Sequence, residues 1–327
     1  MNKEAYLIKN LTDSNIEKAP TRDGYGKGLV DAGEKDDCVV VLCADLAEST
    51  RSHWFKEKFP QRYIELGVAE QNMATIAAGL ANYGKIPFIS SYAVFSPGRN
   101  NEQIRTTISL NNVPVKIAGA HAGISVGPDG ATHQALEDIA LMRVQPNMTV
   151  LVPCDAIEAR KATLAAVFCD GPVYLRFGRE KSPVFTTNKT PFKIGKAVVF
   201  RKGKDVTIAG CGVLLYNALI AAEELSKEGI EAEVINSHTI KPLDIETILN
   251  SVKKTGAVVT VEEHQIAGGF GSAVSEVLSQ YFPAPQEFIG VRDHFGESGE
   301  PDELIKAFGM GVLNIKEAVR RVIKRKA

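Results

Sequence analysis

Eight side chains in the first half of the chain could do chemistry, and each follows a short apolar run: Asp45, Ser49, Glu70, Tyr92, Phe95, His121, Asp129 and His133. Carboxylates and imidazoles move protons near neutral pH, while hydroxyls and aromatic rings hold ligands in place. Glu70 stands in Leu66-Gly67-Val68-Ala69-Glu70-Gln71-Asn72-Met73, after an expected strand and at the start of an expected helix. Alone, a first-turn carboxylate is simply what the helix dipole favours. Asp129 and His133 stand in Gly127-Pro128-Asp129-Gly130-Ala131-Thr132-His133-Gln134. Glycines around a carboxylate and an imidazole imply a tight loop, which would also serve as a plain turn before a helix near Ala135. His121 lies just past a strand end, where a lone histidine also has a structural reading.

These residues need a frame. Cys38–Ala44 is a continuous β-branched run, as in a strand buried on both faces. The spacing of Met73, Ile76, Ala77 and Leu80 predicts a helix over Glu70–Tyr83. Strands over Ile86–Ser91, Val113–Gly119, Met148–Val152 and Pro172–Phe177 alternate with helices over Leu136–Arg143 and Ala156–Phe168. That alternation predicts an α/β fold with a mostly parallel sheet covered by helices. It lapses in Ser182–Lys193, which holds Pro183, Pro191 and no apolar period, and resumes from Val206 to the final helix. Two doubly wound domains are therefore expected, over 1–181 and 194–327, joined by a linker at 182–193. In such folds ligands sit beyond the carboxyl ends of the strands, where the eight residues fall.

Composition narrows the function. Among 327 residues, Lys+Arg 38 against Asp+Glu 39 gives a formal net charge of -1. No overall field attracts nucleic acid or an acidic membrane surface, so neither is expected as a partner. No apolar run reaches the roughly 18 residues of a membrane span, and the start of the chain has no apolar signal core. The five cysteines show no Cys-x-x-Cys spacing and read as reduced, so a cytoplasmic location is expected. Gly268-Gly269-Phe270-Gly271 lacks the Lys-Ser/Thr of a phosphate loop and reads as a close-packed helix start. His264 carries no assigned role.

Taken together and in order, these segments resemble the transketolase family. The resemblance covers Thr21-Arg22 to the final helix and is nearest to the separate C-terminal chain of split, two-subunit transketolases. It rests on Cys43-Ala44-Asp45-Leu46, the Gly67–Met73 run, Ser90-Ser91-Tyr92-Ala93-Val94-Phe95, His121–Gly127, Asp129-Gly130, Thr132-His133-Gln134 and Arg143–Pro153. Val261-Glu262-Glu263-His264 with Gly268–Gly271 extends it into the C-terminal domain. What the resemblance implies is a pyrimidine-binding domain followed by a transketolase C-terminal domain, and thiamine diphosphate chemistry.

In that family a glutamate hydrogen-bonds the aminopyrimidine and favours the tautomer that deprotonates the thiazolium. Glu70 matches it, and a carboxyl there is expected to be partly withdrawn from water. Phe95 matches the aromatic that stacks on the pyrimidine, with Tyr92 as the other candidate. Asp45 matches a residue close to the cofactor and the subunit interface. Arg22, Ser49, His121 and Arg179 match positions that hold the sugar phosphate; Asp129 and His133 match residues that contact the donor's hydroxyls beside the reacting carbon, so His133 joins Glu70 as a catalytic candidate. The Gly-Asp-Gly and downstream Asn that hold Mg²⁺ and diphosphate in the family have no counterpart here. No metal ligand is therefore assigned to this chain. An N-terminal transketolase subunit is the expected partner, in a heterotetramer acting on sugar phosphates. Pro128, Ala131, Ala135 and Ala69 depart from patterns common in single-chain relatives, near the substrate channel. A 1-deoxy-xylulose-5-phosphate synthase-like activity, a 2-oxo acid dehydrogenase beta chain and a non-catalytic stabilising subunit are the alternatives.

Overall fold

The computed structural model describes residues 1–326; residue 327, the last of the second expected domain, lies outside the described residues. Its strands in chain order are β1 Lys18–Ala19, β2 Val39–Cys43, β3 Tyr63–Glu65, β4 Ile86–Tyr92, β5 Lys116–Ala120, β6 Thr149–Leu151 and β7 Val173–Arg176. They continue as β8 Ser182–Pro183, β9 Val198–Arg201, β10 Val206–Gly210, β11 Ala232–Asn236, β12 Thr239–Lys241, β13 Val258–Gln265 and β14 Gln286–Val291. A seven-stranded sheet has the order β12-β6-β7-β5-β4-β2-β3, and a five-stranded sheet the order β14-β13-β10-β11-β9. Every neighbouring pair in the larger sheet is parallel except β12 with β6, and in the smaller sheet only β9 runs antiparallel.

Period-two alternation divides the larger sheet between two cores. Val39, Val41, Phe88, Ala118 and Leu175 face the helices Thr21–Lys35 and Ala156–Val167. Val40, Leu42, Ile89, Ile117 and Tyr174 face Met73, Ala74, Ala77 and Ala81 of the helix Glu70–Asn82 on the other side. Burial on both faces is what a parallel sheet requires. The helices Thr21–Lys35 and Ala156–Val167 approach so closely that a Cβ on Gly24 would lie 2.0 Å from the Ala156 carbonyl oxygen. That contact, made at the helix end nearest the site, brings the first turn with Arg22 against the sheet.

Three features differ from the expectation. First, β12 comes from the second half of the chain yet completes the edge of the first sheet, so the two units share backbone pairing. Second, the segment 182–193, expected as a linker, is anchored to the first unit. β8 pairs with β1, Val184 and Phe185 are buried, and Asp155 accepts from Phe185 N (3.0 Å), Thr186 N (2.6 Å) and Thr186 Oγ1 (2.8 Å). Asp155 also caps the helix Ala156–Val167 through Glu158 N. Third, the expected strand at Val113 begins only at Lys116, and the expected helix at Leu136 begins at Asp138. Pro114 has no N–H to donate, which removes it from a central ladder.

The glycine run at 268–271 contains no room for an anion. The buried Glu262 carboxylate already accepts from Phe270 N (2.7 Å) and Gly271 N (2.8 Å), so the helix start is satisfied from within. His264 is fully buried, donating from Nδ1 to the Gln265 carbonyl at 2.7 Å, which is a structural role. No helix among the described residues is long and apolar enough to cross a membrane.

Candidate active site

The carboxyl ends of β2, β4, β5 and β7 converge on one strip of side chains. Arg22, in the first turn of Thr21–Lys35, donates from Nη1 to the Ser49 carbonyl (2.9 Å) and lies 3.3 Å from His121 Nε2. Arginine can only donate, so His121 Nε2 accepts and the neutral ring carries its proton on Nδ1. That Nδ1 is buried with no partner. His121 sits at φ 54 just past β5 and stacks on Tyr92 with centroids 3.9 Å apart. Burial pushes its pKa down to about 3, reinforced by Arg22, Arg179, Arg51 and His133. The ring is neutral at physiological pH, and its surroundings are strongly cationic.

From Tyr92 the strip continues to Phe95, whose ring lies 5.9 Å away and nearly parallel. His133 meets Phe95 edge-on at 5.5 Å and Tyr92 at 6.0 Å. Beyond Phe95 lies Glu70, the first residue of Glu70–Asn82 and only 2% exposed. Its Oε2 accepts from Arg99 Nη1 at 2.7 Å, while Asn100 Nδ2 donates to its backbone carbonyl. The Arg99 guanidinium also lies over the Phe95 ring, 4.5 Å from the centroid. At the other end Arg179 donates to the Val126 carbonyl at 2.6 Å and comes within 3.9 Å of Asp129 and 3.7 Å of Glu180.

The structure therefore joins Arg22, Ser49, His121, Tyr92, Phe95, His133 and Glu70 through contacts, and brings Arg179 and Asp129 beside them. Ser49 contributes its carbonyl, not its hydroxyl, to the Arg22 contact. Asp45 stands apart: it is exposed at φ 59, and its own N–H donates to Glu65. A cavity of about 590 Å³ lies elsewhere, beside Phe288, Phe308 and Arg321 of the second unit, away from Glu70.

Two contributors were missed by sequence reasoning. Arg99 lies four residues past Phe95 on an irregular turn, Val94–Arg99, and no local pattern marks it as the partner of Glu70. The second is the C-terminal unit itself, which holds the loop after β5. Buried Glu263 accepts from Ser125 N at 2.6 Å, and a Cβ on Gly123, at φ 95, would come within 2.3 Å of Glu263 Oε1. Gln134 donates to the Ile124 and Glu297 carbonyls. The loop that carries His121, Asp129 and His133 is thus fixed from beneath by residues more than a hundred positions away. The glycines of that loop and the run Val261-Glu262-Glu263-His264 were the signals, and neither named the other as its partner.

Among the described residues, no group of three or more His, Cys, Asp or Glu could hold a metal ion. Chemically the strip offers a buried carboxyl beside an aromatic face, then two imidazoles, then a cationic end.

Known proteins resemble the chain in sequence and in fold. The family described as transketolase, pyrimidine binding domain, matches residues 17–184, and transketolase, C-terminal domain, matches residues 195–315. The 6-deoxy-6-sulfo-D-fructose transketolase subunit SqwH of Clostridium sp. (strain MSTE9) is 42% identical over 311 residues, covering 95% of this chain and 97% of that one. Human transketolase is 39% identical over 314 residues, covering 94% of this chain but 50% of its own length. A solved structure titled as a split gene transketolase, inactive beta4 tetramer, superposes with a TM-score of 0.89 at 45% identity, covering 94% of this chain and 99% of that one. By its sequence and by its fold, the chain belongs to the transketolase family, of which it carries the pyrimidine-binding and C-terminal domains.

Proposed function

We propose that this chain is the C-terminal subunit of a split transketolase, moving a two-carbon ketol unit from a ketose phosphate to an aldose phosphate. One observation carries the reading: buried Glu70 beside Phe95 is joined through Tyr92 to the cationic pocket around His121. The carboxyl at one end suits a cofactor ring, and the arginines at the other, Arg22 and Arg179, suit an anionic sugar tail. The residues fit thiamine diphosphate at its pyrimidine end, because a carboxyl at a helix start and an adjacent aromatic ring are both present. Bound there, the cofactor supplies a thiazolium that stabilises a carbanion at a former carbonyl carbon.

Each side chain then has a defined task. Glu70 holds a proton at the pyrimidine ring nitrogen, and Phe95 holds the ring's plane, with Tyr92 behind it. Asp129 and His133 bind the donor's hydroxyls, and His133 moves a proton at the sugar oxygen beside the reacting carbon. Arg22 and Arg179 hold the terminal anion, since guanidinium groups make paired charge-assisted bonds to such oxygens. His121 accepts from Arg22 beside the anion, and Ser49 fixes Arg22. Asp45, exposed and apart from the strip, is assigned to the subunit interface on the resemblance alone. Mg²⁺ and the diphosphate are held by a separate N-terminal chain, in a heterotetramer, in the cytoplasm, where the five free thiols stay reduced.

A phosphate and a sulfonate are both tetrahedral oxyanions, and the relative named for a sulfo-sugar is 42% identical. A 6-sulfonated ketose is therefore the second donor to test. The experiment mixes this chain with its N-terminal partner, thiamine diphosphate and Mg²⁺, and follows two-carbon transfer from each donor. Transfer that requires both chains is expected. An assembly that consumes pyruvate and no ketose would point to the deoxyxylulose-phosphate synthase or dehydrogenase alternatives.

A further inference from the structure

Glu70 and Phe95 are both in contact with one side chain, Arg99. The Arg99 guanidinium donates from Nη1 to Glu70 Oε2 at 2.7 Å and lies 4.5 Å from the centroid of Phe95. These are the two contacts expected of the cofactor's aminopyrimidine: a planar nitrogen group donating to the carboxyl and lying against the aromatic face. Guanidinium and aminopyrimidine share that shape and donor pattern. Glu70 is 2% exposed, and an unpaired carboxylate buried so deeply would be costly. Arg99 itself is not buried; its side chain is 46% exposed. Packing does not lock it, and it has open solvent to move into.

We propose that Arg99 is an internal stand-in for the aminopyrimidine. It satisfies Glu70 and covers Phe95 while the site is empty, and it swings out when the cofactor arrives. The proposal rests on the assignment of Glu70 and Phe95 to the pyrimidine in the proposed function. It adds a sign that the assignment alone does not carry. A cationic residue touching the site opposes cofactor binding, and its removal strengthens it. The Asn100 contact to the Glu70 backbone keeps the helix start in place whether or not Arg99 is present.

The test measures binding, not turnover. Thiamine carries the aminopyrimidine without the diphosphate, so it probes this half-site on the isolated chain by ligand-observed NMR. Thiamine diphosphate probes the assembled two-chain complex by calorimetry. Arg99→Ala is expected to lower both dissociation constants about fivefold or more, and adding Glu70→Gln to it should abolish the gain. Arg99→Lys, which keeps the charge but loses the planar fork, should fall between wild type and Arg99→Ala. Circular dichroism and melting curves check that each variant folds; because Arg99 is half-exposed, Arg99→Ala is expected to keep the wild-type fold. Equal or weaker binding by folded Arg99→Ala, in a wild-type assembly that binds cofactor and turns over, overturns the stand-in and leaves the functional assignment intact. A wild-type assembly that binds no thiamine diphosphate removes both.

Discussion

At the scale of single residues, charge and burial decide what each group in the strip can do. His121 is held neutral by burial and by surrounding cations, with its pKa down at about 3. It cannot supply a proton by titrating near neutral pH, and through Nε2 it accepts from Arg22. In the proposed function, Glu70 is the group that exchanges a proton with the cofactor. In the reconstituted complex, Glu70→Gln is expected to lower turnover by at least about 10²-fold, the scale of lost acid–base help. Proton exchange at the cofactor's thiazolium carbon, followed by NMR, should slow alongside; near-normal exchange would move that role to another residue. In the same proposal, Arg179 acts at the far end, on a group that does not change during the reaction. Losing one charge-assisted contact there is worth about 1.5–3 kcal/mol, so Arg179→Ala should raise KM for a phosphorylated ketose about ten- to a hundredfold with little change in kcat. Hydroxypyruvate, which has no terminal phosphate, should be far less affected. An equal penalty on both donors would remove Arg179 from the anion site.

At the scale of elements, the site depends on segments that do not touch it. Asp155 caps one helix and, with the same carboxylate, ties down the segment between the two units. Asp155→Ala leaves four donors to find new partners, which should lower folding stability by about 2–4 kcal/mol. Urea titration reads the loss, and hydrogen exchange should rise first at residues 184–187. Unchanged exchange there would mean the segment is held by its buried side chains alone. Buried Glu263 has a parallel role for the loop after β5, where its carboxylate takes the Ser125 N–H. The long packed face between Thr21–Lys35 and Ala156–Val167 works in the same way, since it sets where Arg22 points.

At the scale of the whole molecule, the two units share a sheet edge, a linker and several buried histidines. His238 lies between β11 and β12 and stacks on Phe192 of the linker at 4.2 Å. Burial pushes its pKa from 6.5 down to about 4. Below pH 6.5 the unfolded chain binds a proton at His238 that the folded chain refuses until about pH 4. The stability held by the neutral ring is therefore present above pH 6.5 and is lost as the pH falls toward 4. Relative to His238→Gln, wild type should lose about 1.5 kcal/mol between about pH 6.5 and about pH 5, with a slope that approaches about 1.4 kcal/mol per pH unit only well below pH 6.5. Paired urea midpoints at the two pH values measure it, and a constant difference would show that His238 does not couple to folding. The cofactor half-site has its own whole-molecule consequence. With no ligands assigned here for Mg²⁺ or diphosphate, the isolated chain should bind thiamine diphosphate weakly, and tight Mg²⁺-dependent binding without a partner would falsify the half-site assignment.

Much of this was legible in the residues themselves, because local chemistry and spacing are local facts. The β-branched run at 38–44, the helix opened by Glu70 and the glycine loop around Asp129 each follow from side chains a few positions apart. The order of those segments was enough to indicate the family, the fold class and the strand ends where the site lies. Four things depended on tertiary structure. The helix Thr21–Lys35 carries Gly24, Gly26, Gly28 and Gly33, which weaken a helix on their own; the close approach of Ala156–Val167 at Gly24 and Gly28, and of Arg51, Trp54, Phe55 and Phe59 at Gly26 and Gly33, makes them favourable. β12 joins the first sheet from the second half, and a three-residue strand has no pattern that names its neighbour. Glu263 reaches Ser125 across 138 positions. Arg99 chooses Glu70 because burial leaves that carboxylate in need of a partner and the turn after Phe95 brings a guanidinium within 2.7 Å. Sequence spacing sets which chemical groups a segment carries and which face they share, whereas the pairing of buried groups far apart in the chain is decided only when packing removes water from both.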